Sequence, residues 1–81
     1  MLKEVDYGFC GLRKELAFVG DVVKNRFSLN NPYVVLKIYK CGSSWYFYLG
    51  KIGSNGKNIW LCNNDVEYVC RGYEYQPVLV S

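Results

Sequence analysis

Apolar residues in this chain come in short runs separated by Gly, Asn, Ser and charged positions. None approaches the roughly 18–20 consecutive apolar residues that a membrane-spanning helix takes. Most runs are rich in Val, Ile, Tyr, Phe and Trp, side chains that fit a pleated, half-buried surface, so the pattern predicts strands. The exception is Gly11–Ala17, where Leu12 and Leu16 stand four apart and allow one or two helical turns or a loop, with nothing helical beyond Gly20. After it, Leu16-Ala17-Phe18-Val19, the turn-forming pair Gly20-Asp21 and Val22-Val23 read as two strand pieces around a bend.

The centre of the chain carries the clearest pairing signal. Asn55-Gly56 lies between two aromatic-rich runs and suits the positive φ of a two-residue type I′ hairpin turn. That turn predicts Ile52 opposite Ile59, Lys51 opposite Trp60 and Leu49 opposite Cys62. Cys41-Gly42-Ser43-Ser44 forms a second connection, predicting Tyr39 opposite Tyr46, Ile38 opposite Phe47 and Leu36 opposite Leu49. With two-residue alternation, one face then carries Val34, Leu36, Ile38, Trp45, Phe47, Leu49, Trp60 and Cys62 and reads as core. The other carries Val35, Lys37, Tyr39, Tyr46, Tyr48, Ile52, Ile59 and Leu61. Val66–Arg71 and Tyr73–Val80 supply one or two further strands, the last made edge-like by Pro77. The expected fold is all-β: a small five- to six-stranded barrel or curled antiparallel sheet with at most one short helix, forming a single domain over residues 1–81.

Composition narrows the chemistry. Alanine occurs once, at Ala17, and histidine is absent, which removes the commonest general base and metal ligand. No P-loop, no G-x-S-x-G and no close carboxylate cluster occurs, so no enzymatic activity is expected. The glycine-rich stretch Gly50–Gly56 leads into a strand, whereas a phosphate loop leads into a helix. Asp21 follows Gly20 and is expected to stabilise its turn through backbone hydrogen bonds. Cys10, Cys41, Cys62 and Cys70 show no pair of close C-x2-4-C turns of the kind that binds structural zinc, and they are expected to be thiols acting as small core hydrophobes. No metal or other cofactor is expected. The mixed charges of Met1–Asp6 are unlike a secretory signal, which makes the cytoplasm the expected compartment.

Three segments resemble SH3 domains. Glu15–Val23 is similar to the short hydrophobic strand that leads into Gly-Asp and a β-branched pair. Ser44-Trp45-Tyr46-Phe47 resembles the adjacent aromatics opening that family's middle strands, and Asn63–Val69 resembles its closing Asn-Tyr-Val segment. The resemblance spans about Glu15 to Val69 and implies an SH3-like barrel with Trp45 pointing outward at a binding surface. Alternation in the predicted hairpin instead turns Trp45 inward beside Phe47, and the two placements need a bulge, at Gly50 or Gly53, to be reconciled. Where the family places the glycine, proline and tyrosine of its closing segment, this chain has Ile59, Cys62 and Asp65, so two elements of a proline-peptide groove are missing.

The remaining functional signal is aromatic. Tyr39, Tyr46 and Tyr48 with Lys37, joined by Trp45, are expected to form a partner-binding surface. Such rings anchor protein interfaces. They also stack the bases of single-stranded nucleic acid while lysines such as Lys40, Lys51 and Lys57 meet phosphates. Half-buried strand positions need no function to favour tyrosine. The formal net charge of +3, scattered without a run, falls short of a nucleic-acid footprint and favours a protein partner. A stand-alone adaptor or an inhibitor of a host factor is the expected role. Richness in Tyr, Asn and Lys suits the AT-rich genome of a virus or mobile element.

Overall fold

A computed structural model describes residues 2–28, 31–53 and 56–75. The strands are β1 (Lys3–Val5), β2 (Tyr7–Cys10), β3 (Glu15–Phe18), β4 (Val22–Asn25), β5 (Pro32–Cys41), β6 (Ser44–Lys51), β7 (Ile59–Cys62) and β8 (Val66–Cys70). Two single turns of 3-10 helix, Asn63–Asp65 and Gly72–Glu74, complete the assigned elements. The fold is all-β and antiparallel, as the alternation predicts. One six-stranded sheet has the order β7-β6-β5-β4-β8, with β1 also pairing β5, and β2 pairs β3 in a separate two-stranded sheet. The ladder is not closed, which is compatible with a curled sheet or a small barrel. No helix among the described residues is long and apolar enough to cross a membrane.

Gly11–Lys14 takes the loop alternative and not the helical one: it is the turn of the β2–β3 hairpin, with Gly11 and Lys14 both at positive φ. Leu16 therefore lies in a strand opposite Phe9. The bend at Gly20-Asp21 separates β3 from β4 as expected, and Gly20 takes the left-handed φ of 96° that it requires.

The core lies between the inner side of the six-stranded sheet and the β2–β3 hairpin. Val35, Ile38, Phe47 and Leu49 from the sheet are buried together with Cys10 and Ala17 from the hairpin. Gly8 permits this close approach: a Cβ there would stand 2.7 Å from Trp45 Cδ1 and 2.9 Å from Phe47 Cζ. The hairpin is fastened at its ends by Gly11 N–H donating to the Asn63 carbonyl (2.8 Å) and Val19 N–H donating to the Asp6 carbonyl (3.2 Å).

A buried carboxylate ties the later chain to this frame. Asp21, only 5% exposed, accepts through Oδ2 from the Phe18 N–H (2.9 Å) and from Arg71 Nη1 (2.7 Å), and through Oδ1 from the Gly72 N–H (3.3 Å). The bond from Phe18 is the turn-stabilising role expected of Asp21. Its pairing with Arg71, fifty residues away, is not visible in local sequence. The hydrogen bond to Asp21 raises the pKa of Arg71, whose guanidinium stacks 5.1 Å from the Phe18 ring centroid and 5.4 Å from that of Tyr68.

Two registers decide which side chains face outward. β5 and β6 pair as expected at Tyr39–Tyr46 and Ile38–Phe47, but the register shifts between Val35 and Lys37, so Val35 rather than Leu36 lies opposite Leu49. This bulge inserts an extra residue and inverts the faces of the first half of β5. Val35 is buried, and Leu36 leans over Gly50, where a Cβ would meet Leu36 Cδ1 at 3.0 Å. The bulge thus sits in β5 and not at Gly50 or Gly53.

The second register departs further. Leu49 pairs with Ile59, Tyr48 with Trp60 and Tyr46 with Cys62, a slip of three positions from the two-residue turn. An odd slip exchanges the faces of β7. Ile59 and Leu61 now pack on the core side, while Trp60 and Cys62 share the outer face. The expected turn includes Ser54 and Asn55, which lie outside the described residues, so the register is read from the paired strands. Packing explains the outcome, because the tight-turn register would bury Trp60 and Cys62 and expose the aliphatic pair. The predicted final strand over Tyr73–Val80 is a 3-10 turn at its start, and its part from residue 76 onward, including Pro77, is outside the described residues.

Candidate functional site

The outer face of β5, β6 and β7 assembles an aromatic surface from three strands. Cross-strand pairing sets Tyr39 beside Tyr46 and Cys62 in one row, and Lys37 beside Tyr48 and Trp60 in the next. Trp60 is the hub: its ring lies 4.7 Å from that of Tyr48 and 5.5 Å from that of Tyr39, with interplanar angles of 36° and 41°. Asn58 Nδ2 donates to the Tyr48 hydroxyl at 3.2 Å, fixing the polar end of that ring. Trp60 is 55% exposed and Tyr46 37% exposed. Lys37 is exposed, whereas Tyr39 and Tyr48 are half-buried by their neighbours.

Four of the five residues singled out from the sequence, Lys37, Tyr39, Tyr46 and Tyr48, therefore occupy one surface. Trp45 does not join them. It alternates onto the opposite side of β6, beside Phe47, and is half-buried against the core. There its ring meets Phe9 edge-on at 5.4 Å and Lys40 Nζ stands 4.9 Å from its centroid. The hairpin alternation, rather than the SH3 resemblance, describes its direction.

Trp60 is the residue that sequence reasoning placed on the wrong side. Alternation within Ile59-Trp60-Leu61-Cys62 correctly groups Trp60 with Cys62, and the mistake lies only in the phase. The available signal was the aliphatic pair Ile59 and Leu61, which fills a core position with less strain than a tryptophan does.

Two clefts of about 310 Å³ each lie elsewhere. One, between the β2–β3 turn and β8, is lined by Cys10, Arg13, Glu15, Arg26, Glu67 and Tyr68 among others, a balanced set of charges. Burial, with Glu15 and Asp21 adding negative charge, pushes the Cys10 thiol up to about 12 and so holds its sulfur in the protonated, less nucleophilic form. The second cleft is lined by Phe9, Lys14, Ser43, Trp45 and Asn63.

Comparison with known proteins leaves this geometry to speak alone: no family model, curated protein or solved structure matches the chain.

Proposed function

We propose that the chain is a non-enzymatic binding module that docks another protein against the outer face of β5–β7. The observation that carries this reading is the contiguous ring group Tyr39, Tyr48 and Trp60, extended by Tyr46 and edged by Lys37. Tyrosine and tryptophan give large rigid contact area with a polar tip, the chemistry that dominates interface cores. The rings lean on one another rather than standing apart, and the rows hold one lysine, with Glu4 opposite Tyr39 on β1. That charge balance favours a protein over the phosphate backbone of a single-stranded nucleic acid. A small cytoplasmic adaptor, or an inhibitor of a host factor made by a virus or mobile element, is the role that fits a chain of this size on this reading. An SH3-like barrel is the architecture proposed for it.

The test is capture from a host lysate by the wild-type protein and by a Tyr39→Ala/Tyr48→Ala double variant. Specific capture that the variant loses, while keeping its far-ultraviolet spectrum and cooperative unfolding, supports the reading. Titration with labelled single-stranded oligonucleotides at two salt concentrations provides the opposing outcome. Binding that weakens steeply with salt and is lost on Tyr46→Ala overturns the protein reading in favour of nucleic acid.

A further inference from the structure

At the Trp45 end of the core, positive charge gathers around a cleft. Cross-strand pairing sets Lys3 opposite Lys40 and Lys40 opposite Trp45, so the three side chains share one face in a single row. Like charges directly opposite one another in an antiparallel ladder are unfavourable. Lys40 Nζ stands 4.9 Å from the Trp45 ring centroid, and Trp45 is a wall of the cleft that Lys14 enters from the β2–β3 turn. Lys14 does so at a φ of 51°, a left-handed conformation that a lysine rarely adopts. Among the described residues no carboxylate pairs with these lysines: the ion pairs seen are Lys24 with Glu67 and Arg71 with Asp21. The acids next to them in sequence are turned elsewhere, Glu4 lying opposite Tyr39 and Glu15 lining the other cleft. The rest of the lining suits a ring with a polar edge. Phe9 and Trp45 meet edge-on, and Trp45 is braced by Gly8, so they give a small ligand a fixed apolar wall. Asn63 Oδ1 accepts from the Trp45 N–H (3.4 Å) and its Nδ2 donates one hydrogen to Asn64 (3.4 Å), leaving the second amide hydrogen beside the Ser43 hydroxyl for a ligand.

We propose that this cleft binds a nucleotide, its phosphate monoester held by Lys14 and Lys40 and its base lying against the Phe9–Trp45 wall with a polar edge toward Ser43 and Asn63. Lys3 adds charge from behind Lys40. A bound dianion relieves the opposition of Lys3 and Lys40, which nothing else among the described residues offsets. The volume of about 310 Å³ lies at the lower end of small-molecule sites and suits a single nucleotide. A ring without hydrogen-bonding edges, such as that of phosphotyrosine, would leave the Ser43 and Asn63 groups unmatched. The chemistry required is a phosphate monoester on a nucleoside, whether a free mononucleotide or the 5′ end of a strand. The site lies on the side of β6 opposite the tyrosine surface, and it stands or falls independently of protein docking there.

Calorimetric titration with adenosine 5′-monophosphate, adenosine, phosphotyrosine and a short oligoadenylate, with and without a 5′-phosphate, is the test. Saturable binding of the mononucleotide identifies a small-molecule site, and binding confined to the 5′-phosphorylated strand identifies a strand end. Adenosine and phosphotyrosine should bind far more weakly than either. Lys14→Gln and Lys40→Gln should each weaken the binding about tenfold, the loss of one charge-assisted hydrogen bond. Lys57→Gln, at an exposed lysine preceding β7, should not. Nuclear magnetic resonance on the wild-type protein gives a readout that needs no variant: the indole N–H signal of Trp45 should move during the titration while that of Trp60 stays. Failure of both phosphorylated ligands to bind overturns the proposal. So does adenosine or phosphotyrosine binding as tightly as the mononucleotide, or a strand that binds equally well without its 5′-phosphate. Equal losses in all three lysine variants, or movement of the Trp60 signal in place of that of Trp45, overturn it as well.

Discussion

The molecule presents two sets of exposed aromatic rings, and exposure does not tell them apart. Phe9 on the β2–β3 hairpin is 36% exposed and Tyr46 on the β5–β7 face is 37% exposed. Their surroundings differ. The hairpin rings form a chain, Phe18 to Tyr7 at 6.3 Å, Tyr7 to Phe9 at 6.2 Å and Phe9 to Trp45 at 5.4 Å, which ends on a residue packed against the core. Arg71 lies over the Phe18 ring at 5.1 Å, held there by Asp21. On the sheet face, the ring contacts run between Tyr39, Tyr48 and Trp60 themselves. The first set closes a core, and the second decorates a sheet whose stability lies on its opposite side. An exposed ring is thus a binding candidate when its contacts stay on the outer face, and a structural one when they lead inward.

The largest effect should come from the group that anchors the hairpin side. Asp21→Ala removes the acceptor for Phe18 N–H, Gly72 N–H and Arg71 together, and leaves two backbone donors and a guanidinium without their partner. A destabilisation of about 2–4 kcal/mol is expected, since each of the two part-buried backbone donors left without its acceptor costs about 1–3 kcal/mol. Urea unfolding measures it. A loss below about 1 kcal/mol would show that the hairpin does not depend on this link, and would weaken the distinction between the two surfaces.

An intermediate effect tests the distinction directly, through two residues of matched exposure. Phe9→Thr should lower stability by about 1–2 kcal/mol, because it breaks the ring chain to Trp45 while keeping a strand-forming residue. Tyr46→Thr should change stability by no more than about 0.5 kcal/mol, as surface substitutions away from packed features do. Equal losses in the two variants would mean that the sheet face is as tied to the core as the hairpin is.

How much of this was legible in the sequence follows the same division. Alternation and strand-forming composition were enough for the all-β class, the β3–β4 bend and the pairing of Tyr39 with Tyr46, because the Gly42-Ser43 connection is short and fixes register locally. The tyrosine grouping followed from that one register. What escaped was decided by packing. The bulge at Leu36 lets Val35 reach the core, and nothing in the local composition marks it. The register expected from Asn55-Gly56 would turn Ile59 and Leu61 outward, whereas the observed β6–β7 register packs them on the core and brings Trp60 into the site. The Asp21–Arg71 pair was illegible because its partners are distant in sequence and each residue alone has an ordinary explanation.

The smallest effect at neutral pH lies beneath the hairpin, at Cys10, whose thiol ordinarily ionises near 9.0 and is pushed up to about 12 mainly by burial. Between those values the unfolded chain has released this proton and the folded chain has kept it. The contribution is therefore intact below about pH 9, falls as pH rises through that window, and is fully lost once the folded thiol ionises near 12. Cys10→Ala should be somewhat less stable than wild type at pH 7, from the small cavity it leaves. Its stability should fall less steeply across the alkaline window, so that the two curves converge. Lysines and tyrosines titrate in the same range, which makes the difference between the curves, and not either curve alone, the quantity to measure. Parallel curves would mean that Cys10 is open to water in the folded state. The hairpin would then not seal the core, and its rings would have to be counted with those of the sheet face as surface available to a partner.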